Sequence, residues 1–150
     1  MTSHVVFFRR LSDEQREQVN ASGWSSNLGS AYLDSEGSRH QAPCYGGAIE
    51  FDLFEVAAVV RDTDDVELLW SRMQNRGPSW SCEPTVKALT DFPRSMSAGD
   101  VVYSVEQAKW HYAAVPFGFK AVDDADFVAY LMTKAQHLGL TPTSPLETKK

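Results

Sequence analysis

Val5 to Phe8 form a short run of strand-forming apolar residues between His4 and Arg9, and they predict a first strand. Ser12 and Gln15 then stand at the spacing of a capping box, with Asp13 and Glu14 in the first turn, which predicts a helix over 13–20. Gly23 and the polar Ser25-Ser26-Asn27 end or interrupt it. Leu28, Ala31, Tyr32 and Leu33 recur at helical spacing and predict a short second helix. Residues 34–47 carry Gly37, Pro43, Gly46 and Gly47 and read as an exposed loop.

Farther along, Ile49, Phe51 and Leu53 alternate with Glu50 and Asp52, the pattern of a half-buried strand. Val56 to Val60 is continuously apolar, as expected of a central strand buried on both faces. The clearest helix follows. Asp64 and Glu67 make a D-x-x-E start, and Val66, Leu69, Trp70 and Met73 fall on one apolar stripe before Gly77-Pro78 stops it. Thr85 to Leu89, Val101 to Val105 and Tyr112 to Val115 predict further strands, the last continued or bent by Phe117-Gly118-Phe119. A closing helix is predicted over 124–138, with Phe127, Leu131, Ala135 and Leu138 near one face, acids in its first turn and Lys134 and His137 in its last. Strands interleaved with helices, without repeat or linker, predict an α+β fold: a single domain over 1–140, mostly an antiparallel sheet with two to three packed helices. Residues 141–150, with two prolines and a Lys149-Lys150 end, are expected to form a flexible tail.

Between these elements, Phe92 to Ser104 reads FPRSMSAGDVVYS. Pro93 forces Phe92 to be extended, Ser95 and Ser97 favour local backbone bonds, and Gly99-Asp100 turns the chain into the strand at Val101. A hydrolase elbow needs glycine two residues before and after its serine. Ser97 is flanked at those places by Ser95 and Gly99, so a turn is expected and not a nucleophile.

The 150 residues suit one real core, and no apolar run approaches the ~20 residues of a membrane span. MTSHVVFFRRLSDE is not patterned as a signal peptide, so a cytoplasmic location is expected. Cys44 and Cys82 stand far apart and are expected to be free thiols, at least one of them in the interior. The formal charge is −6, and between Ala48 and Gln74 seven acids stand against two bases, so this segment carries five of the six excess charges. Such a chain is not expected to bind nucleic acid directly through a phosphate-neutralising surface. A solvated acidic face accounts for the charge, and a partner with a basic surface is what such a face would meet.

Candidate chemistry is sparse. His40 and Cys44 are four apart, with Cys82 elsewhere, which is no paired zinc motif; no metal and no cofactor are expected. Cys44 with His40 or His111, oriented by an acid such as Asp52, is the one nucleophile–base constellation to test. Neither phosphate-cradling glycine motif is present. The carboxylate pairs Asp64-Asp65 and Asp123-Asp124 sit at helix starts, where the macrodipole explains them. Trp70 and Trp80 are expected in the core, whereas Trp24 and Trp110 are open to a partner.

The strand-helix unit FEVAAVVRDTDDVELLWSRMQN, the following Trp80, the turn PRSMSAGDVVYS and the later Gly118-Phe119 come in an order that resembles small phage and plasmid proteins close to the YodL-like group, over roughly residues 54–120. The turn departs from that group's R-S-x-S-x-G-D-V form at Ala98. The resemblance implies a mobile-element setting and brings no catalytic residues. The expected function is a non-enzymatic accessory protein, an inhibitor of a nucleic-acid-targeting defence system (anti-CRISPR-like) acting on a host or element macromolecule. Asp62, Asp64, Asp65 and Glu67, with Trp110 and Tyr45, are the expected partner contacts. A small Cys/His hydrolase or transferase and an oligomeric assembly module are the alternatives.

Overall fold

The computed structural model describes residues 3–114 and 118–139. Six strands form one sheet: β1 (His4–Arg9), β2 (Phe54–Val60), β3 (Val86–Ala88), β4 (Val101–Ser104), β5 (Lys109–Ala113) and β6 (Phe119–Ala121). Their order is β3-β2-β1-β4-β5-β6, and every neighbouring pair is antiparallel. Five helices accompany it: α1 (Asp13–Ser22), α2 (Asn27–Glu36), α3 (Gly46–Phe51), α4 (Val66–Arg72) and α5 (Ala125–His137). This is the expected α+β class, an antiparallel sheet with packed helices.

The middle strand explains the layering. All six residues of β1 are buried. Val5 and Phe7 join a cluster with Val19 of α1, Leu28 of α2, Ala48 of α3 and Phe127 of α5. Val6 and Phe8 join a second cluster with Leu69 of α4, Met73, Trp80 and Met96. Both faces of β1 are therefore covered, which is why Val5 to Phe8 are continuously apolar and not alternating. The β1–β2 register slips between Val6, opposite Ala58, and Phe7, opposite Val56, so Ala57 is the extra residue of a bulge.

Local signals placed the helices well where they were strong. Ser12 Oγ accepts the Gln15 amide at 3.1 Å, and Gln15 Oε1 accepts the Ser12 amide at 2.8 Å, closing the predicted capping box of α1. Asp124 caps α5 by accepting the Phe127 amide at 3.0 Å, and Phe127, Leu131 and Ala135 form its buried stripe. In α4 the cap is Asp65, one residue beyond the predicted Asp64; its carboxylate accepts the Leu68 amide at 2.7 Å.

The alternating stretch at 49–53 is a correction. It is not a strand: Gly46–Phe51 is helix α3, ended by Asp52 in the left-handed region at φ 57°. The Gly46-Gly47-Ala48 lead-in explains the outcome. A side chain on Gly47 would stand 2.5 Å from the Ala31 Cβ, so the glycine lets α3 lie directly against α2. Residues expected to form a loop thus contribute the end of α2 and the start of α3. The predicted tail at 141–150, Val115 at the end of a predicted strand, and Phe117 lie outside the described residues.

Candidate functional site

The turn 92–100 brings together a charged network that links three segments of the chain. Asp100 is fully buried and accepts four hydrogen bonds. Arg94 meets it with both prongs, Nη1 to Oδ2 and Nη2 to Oδ1, each at 2.8 Å. The backbone amides of Arg9 and Ser97 donate to it at 3.0 and 2.8 Å. Arg94 Nη2 also donates to the Arg9 carbonyl at 2.9 Å. The two side chains therefore continue the sheet past Phe7–Val101, the last β1–β4 backbone pair at that end. Burial acts to lower the Arg94 pKa, but its hydrogen bonds and charge contact with Asp100 outweigh that and raise it. Its guanidinium lies over the Phe8 ring at 4.2 Å, and its carbonyl accepts the Trp80 indole N–H at 2.6 Å.

Arg9 extends the network to α2. Its Nε donates to the Ala98 carbonyl at 3.0 Å, its Nη2 to Glu36 and to Ser97 Oγ at 3.3 Å each, and its guanidinium lies over the Tyr32 ring at 4.8 Å. Ser97 is an acceptor in this cluster, consistent with a turn residue. Gly99, at φ 87°, lets the turn touch α2: a Cβ there would stand 2.3 Å from the Ser35 carbonyl oxygen.

Beside this network lies an open-sided cleft of about 560 Å³ between β1, α1, α2 and the turn. Arg9, Arg10, Arg16 and Arg94 line it, four of the eight arginines in an acidic chain. Trp24, Tyr32 and Phe92 add aromatic walls, and Trp24 and Phe92 are 48% and 57% exposed. Arg10 lies over the Phe92 ring at 4.2 Å and pairs with Glu55 at 3.1 Å. The sequence signal for this cleft was spread over three segments; only the openness of Trp24 pointed to it.

The acidic segment is at the opposite end of β1. Asp62, Asp64, Asp65 and Glu67 are all exposed on the β2–α4 connection and the first turn of α4. Among the described residues no Lys or Arg ion pair engages any of them. Leu68 stands in their midst, 41% exposed.

The remaining expected partner contacts are Tyr45 and Trp110. Tyr45 is a correction: it is 6% exposed and stacks on Phe127 with ring centroids 3.7 Å apart, so it is a core residue. Burial drives its phenol pKa far up. Trp110 is half-buried and packs on Tyr103 at 4.6 Å and Phe7 at 5.6 Å.

The structure sets Cys44 apart from His111 and engages Asp52 elsewhere. His111 pairs with Val102 on the α4 side of the sheet, whereas Tyr45, next to Cys44, packs on the other side. Asp52, the expected orienting acid, instead accepts hydrogen bonds from Tyr130 at 2.7 Å and from Lys134. Burial works to raise the Asp52 pKa, and these bonds outweigh it and hold the pKa below the usual value. His40 lies 3.3 Å from Asp34. Both cysteines are exposed, so neither is the interior thiol expected from composition. Among the described residues no three His, Cys, Asp or Glu side chains gather to hold a metal ion, and no helix is long and apolar enough to cross a membrane. No protein-family model, curated protein or solved structure matches the chain.

Proposed function

We propose that this chain is a non-enzymatic accessory protein of a phage or plasmid that binds a basic surface on a macromolecule of the host or the element, and so inhibits a nucleic-acid-targeting defence system of the CRISPR kind. The observation that carries the reading is the exposed quartet Asp62, Asp64, Asp65 and Glu67 around the exposed Leu68, with no Lys or Arg ion pair among the described residues. Uncompensated charge of one sign steers association with an oppositely charged partner, and an apolar side chain at its centre supplies contact area once water leaves. The order of the strand-helix unit, Trp80 and the 94–101 turn, similar to that of YodL-like proteins, supports the mobile-element setting.

The test is capture of partners from host lysate, followed by kinetics with purified partner. Asp65 caps α4, so the variant should combine Asp62→Lys, Asp64→Lys and Glu67→Lys with Asp65→Asn, which keeps a capping side chain. Association should slow and lose its salt dependence. An unchanged rate and salt slope would remove the acidic end from the interface.

A further inference from the structure

We infer that the arginine-walled cleft beside the 92–100 turn takes a small anion of mononucleotide size, a flat heteroaromatic ring carrying a phosphate. This inference does not rest on the acidic end. The cleft's volume of about 560 Å³ falls in the range of about 300–1,000 Å³ usual for small-molecule sites. Its chemistry has two parts. Trp24 and Phe92 expose large ring surface in the cleft wall, and Tyr32 backs Trp24 with ring centroids 6.0 Å apart. Exposed aromatic rings beside guanidinium groups are the means by which proteins stack flat bases.

The second part is charge. Arg94 and Arg9 are committed to Asp100, Glu36 and neighbouring oxygens. Arg10 gives Nη1 to Glu55 and keeps its other donors, and Arg16 has no ion pair among the described residues. Asp13 and Glu55 also line the cleft, two acids beside the two arginines that Asp100 and Glu36 do not already hold. Arg10 and Arg16 are the groups left to form forked, charge-assisted bonds to phosphate oxygens, and the committed pair keeps the wall rigid.

The test is calorimetry together with tryptophan fluorescence on the full chain, using adenosine 5′-monophosphate, adenosine, inorganic phosphate and benzoate as probes. The monophosphate should bind and quench fluorescence, with adenosine, phosphate and benzoate each weaker by roughly tenfold or more. Arg16→Glu should weaken the monophosphate by roughly tenfold without lowering thermal stability, because Arg16 is exposed on α1. Trp24→Ala should weaken binding and remove the quench. Asp64→Lys, at the other end of the sheet, should change nothing, which separates this cleft from the acidic surface. No binding of the monophosphate at millimolar concentration would overturn the inference. So would binding that Arg16→Glu and Trp24→Ala leave unchanged, or equal binding of adenosine, phosphate or benzoate.

Discussion

Arg94 and Asp100 are six residues apart and meet through two parallel hydrogen bonds of 2.8 Å, with the carboxylate wholly buried. The same carboxylate holds the Arg9 amide, and the same guanidinium holds the Arg9 carbonyl. Removing Asp100 therefore leaves the Arg9 and Ser97 amides and the Arg94 guanidinium without their shared acceptor, and removing Arg94 strands the buried carboxylate and the Arg9 carbonyl. Asp100→Ala should cost about 3–5 kcal/mol of stability in urea unfolding. Arg94→Lys, which keeps the charge and loses the fork, should cost less but clearly more than a surface change. A loss below about 1 kcal/mol for Asp100→Ala would show that the network is not what fixes the turn.

Gly99→Ala should be among the most damaging small substitutions in the chain. It combines an unfavourable positive φ with a Cβ 2.3 Å from the Ser35 carbonyl oxygen and 2.8 Å from Arg9 Nε. A loss of about 3 kcal/mol or more is expected, read as a fall in melting temperature. Gly77, also at positive φ but with nothing within 4 Å, is the control. Gly77→Ala should cost only the backbone strain, about 1 kcal/mol.

Tyr45 separates ring packing from hydroxyl chemistry. Its ring stacks on Phe127, while its hydroxyl is buried without a partner among the described residues. Tyr45→Ala should cost about 3–5 kcal/mol. Tyr45→Phe should be neutral or stabilising, since it removes an unsatisfied polar atom and keeps the packing. Denaturant midpoints of the two variants check both statements.

Acid should weaken the fold in a window set by two histidines. His4 is buried, with Nε2 at 2.9 Å from the Thr63 carbonyl and Nδ1 at 3.0 Å from Ser104 Oγ. Burial lowers its pKa, and burial with the nearby His4 and Lys109 lowers that of His111. A lowered folded-state pKa means that the unfolded chain takes up the proton first. The stability is therefore fully present above about pH 6.5 and falls below it. The slope contributed by each group is at most about 1.4 kcal/mol per pH unit. His4→Gln should flatten the fall between neutral pH and about pH 5, measured by urea unfolding at stepped pH. An unaltered slope would assign that window to other groups.

How much of this was legible along the chain depended on how local each signal is. α1 and α5 declare themselves because cap and stripe lie within a few turns: Ser12 with Gln15, and Asp124 with Phe127 and Leu131. α3 did not, because Ile49-Glu50-Phe51-Asp52-Leu53 alternates like a strand while contact with α2 across Gly47 decides for the helix. The acidic connection was plain as a charge run. The cleft was not, since Arg10, Trp24 and Phe92 come together only when β1, the chain between α1 and α2, and the turn before β4 are assembled. Tyr45 was misplaced for the same reason: its partner Phe127 lies on the closing helix.

β1 being buried on both faces has a consequence for how the two halves of the sheet align. In an ordinary half-buried strand, sliding by one residue throws its apolar side chains into water, and that penalty fixes the alignment. Val5-Val6-Phe7-Phe8 is apolar at every position, so such a slide would still present oil to both layers. What distinguishes one alignment from its neighbours is the polar bookend at each extremity of the strand. His4 meets Ser104 at one end, and Arg9 is gripped by Asp100 and Arg94 at the other. The alignment of the N-terminal strand with β4 is thus written in charge and hydrogen bonds, and the apolar run between them serves as filling that would accept any of several settings.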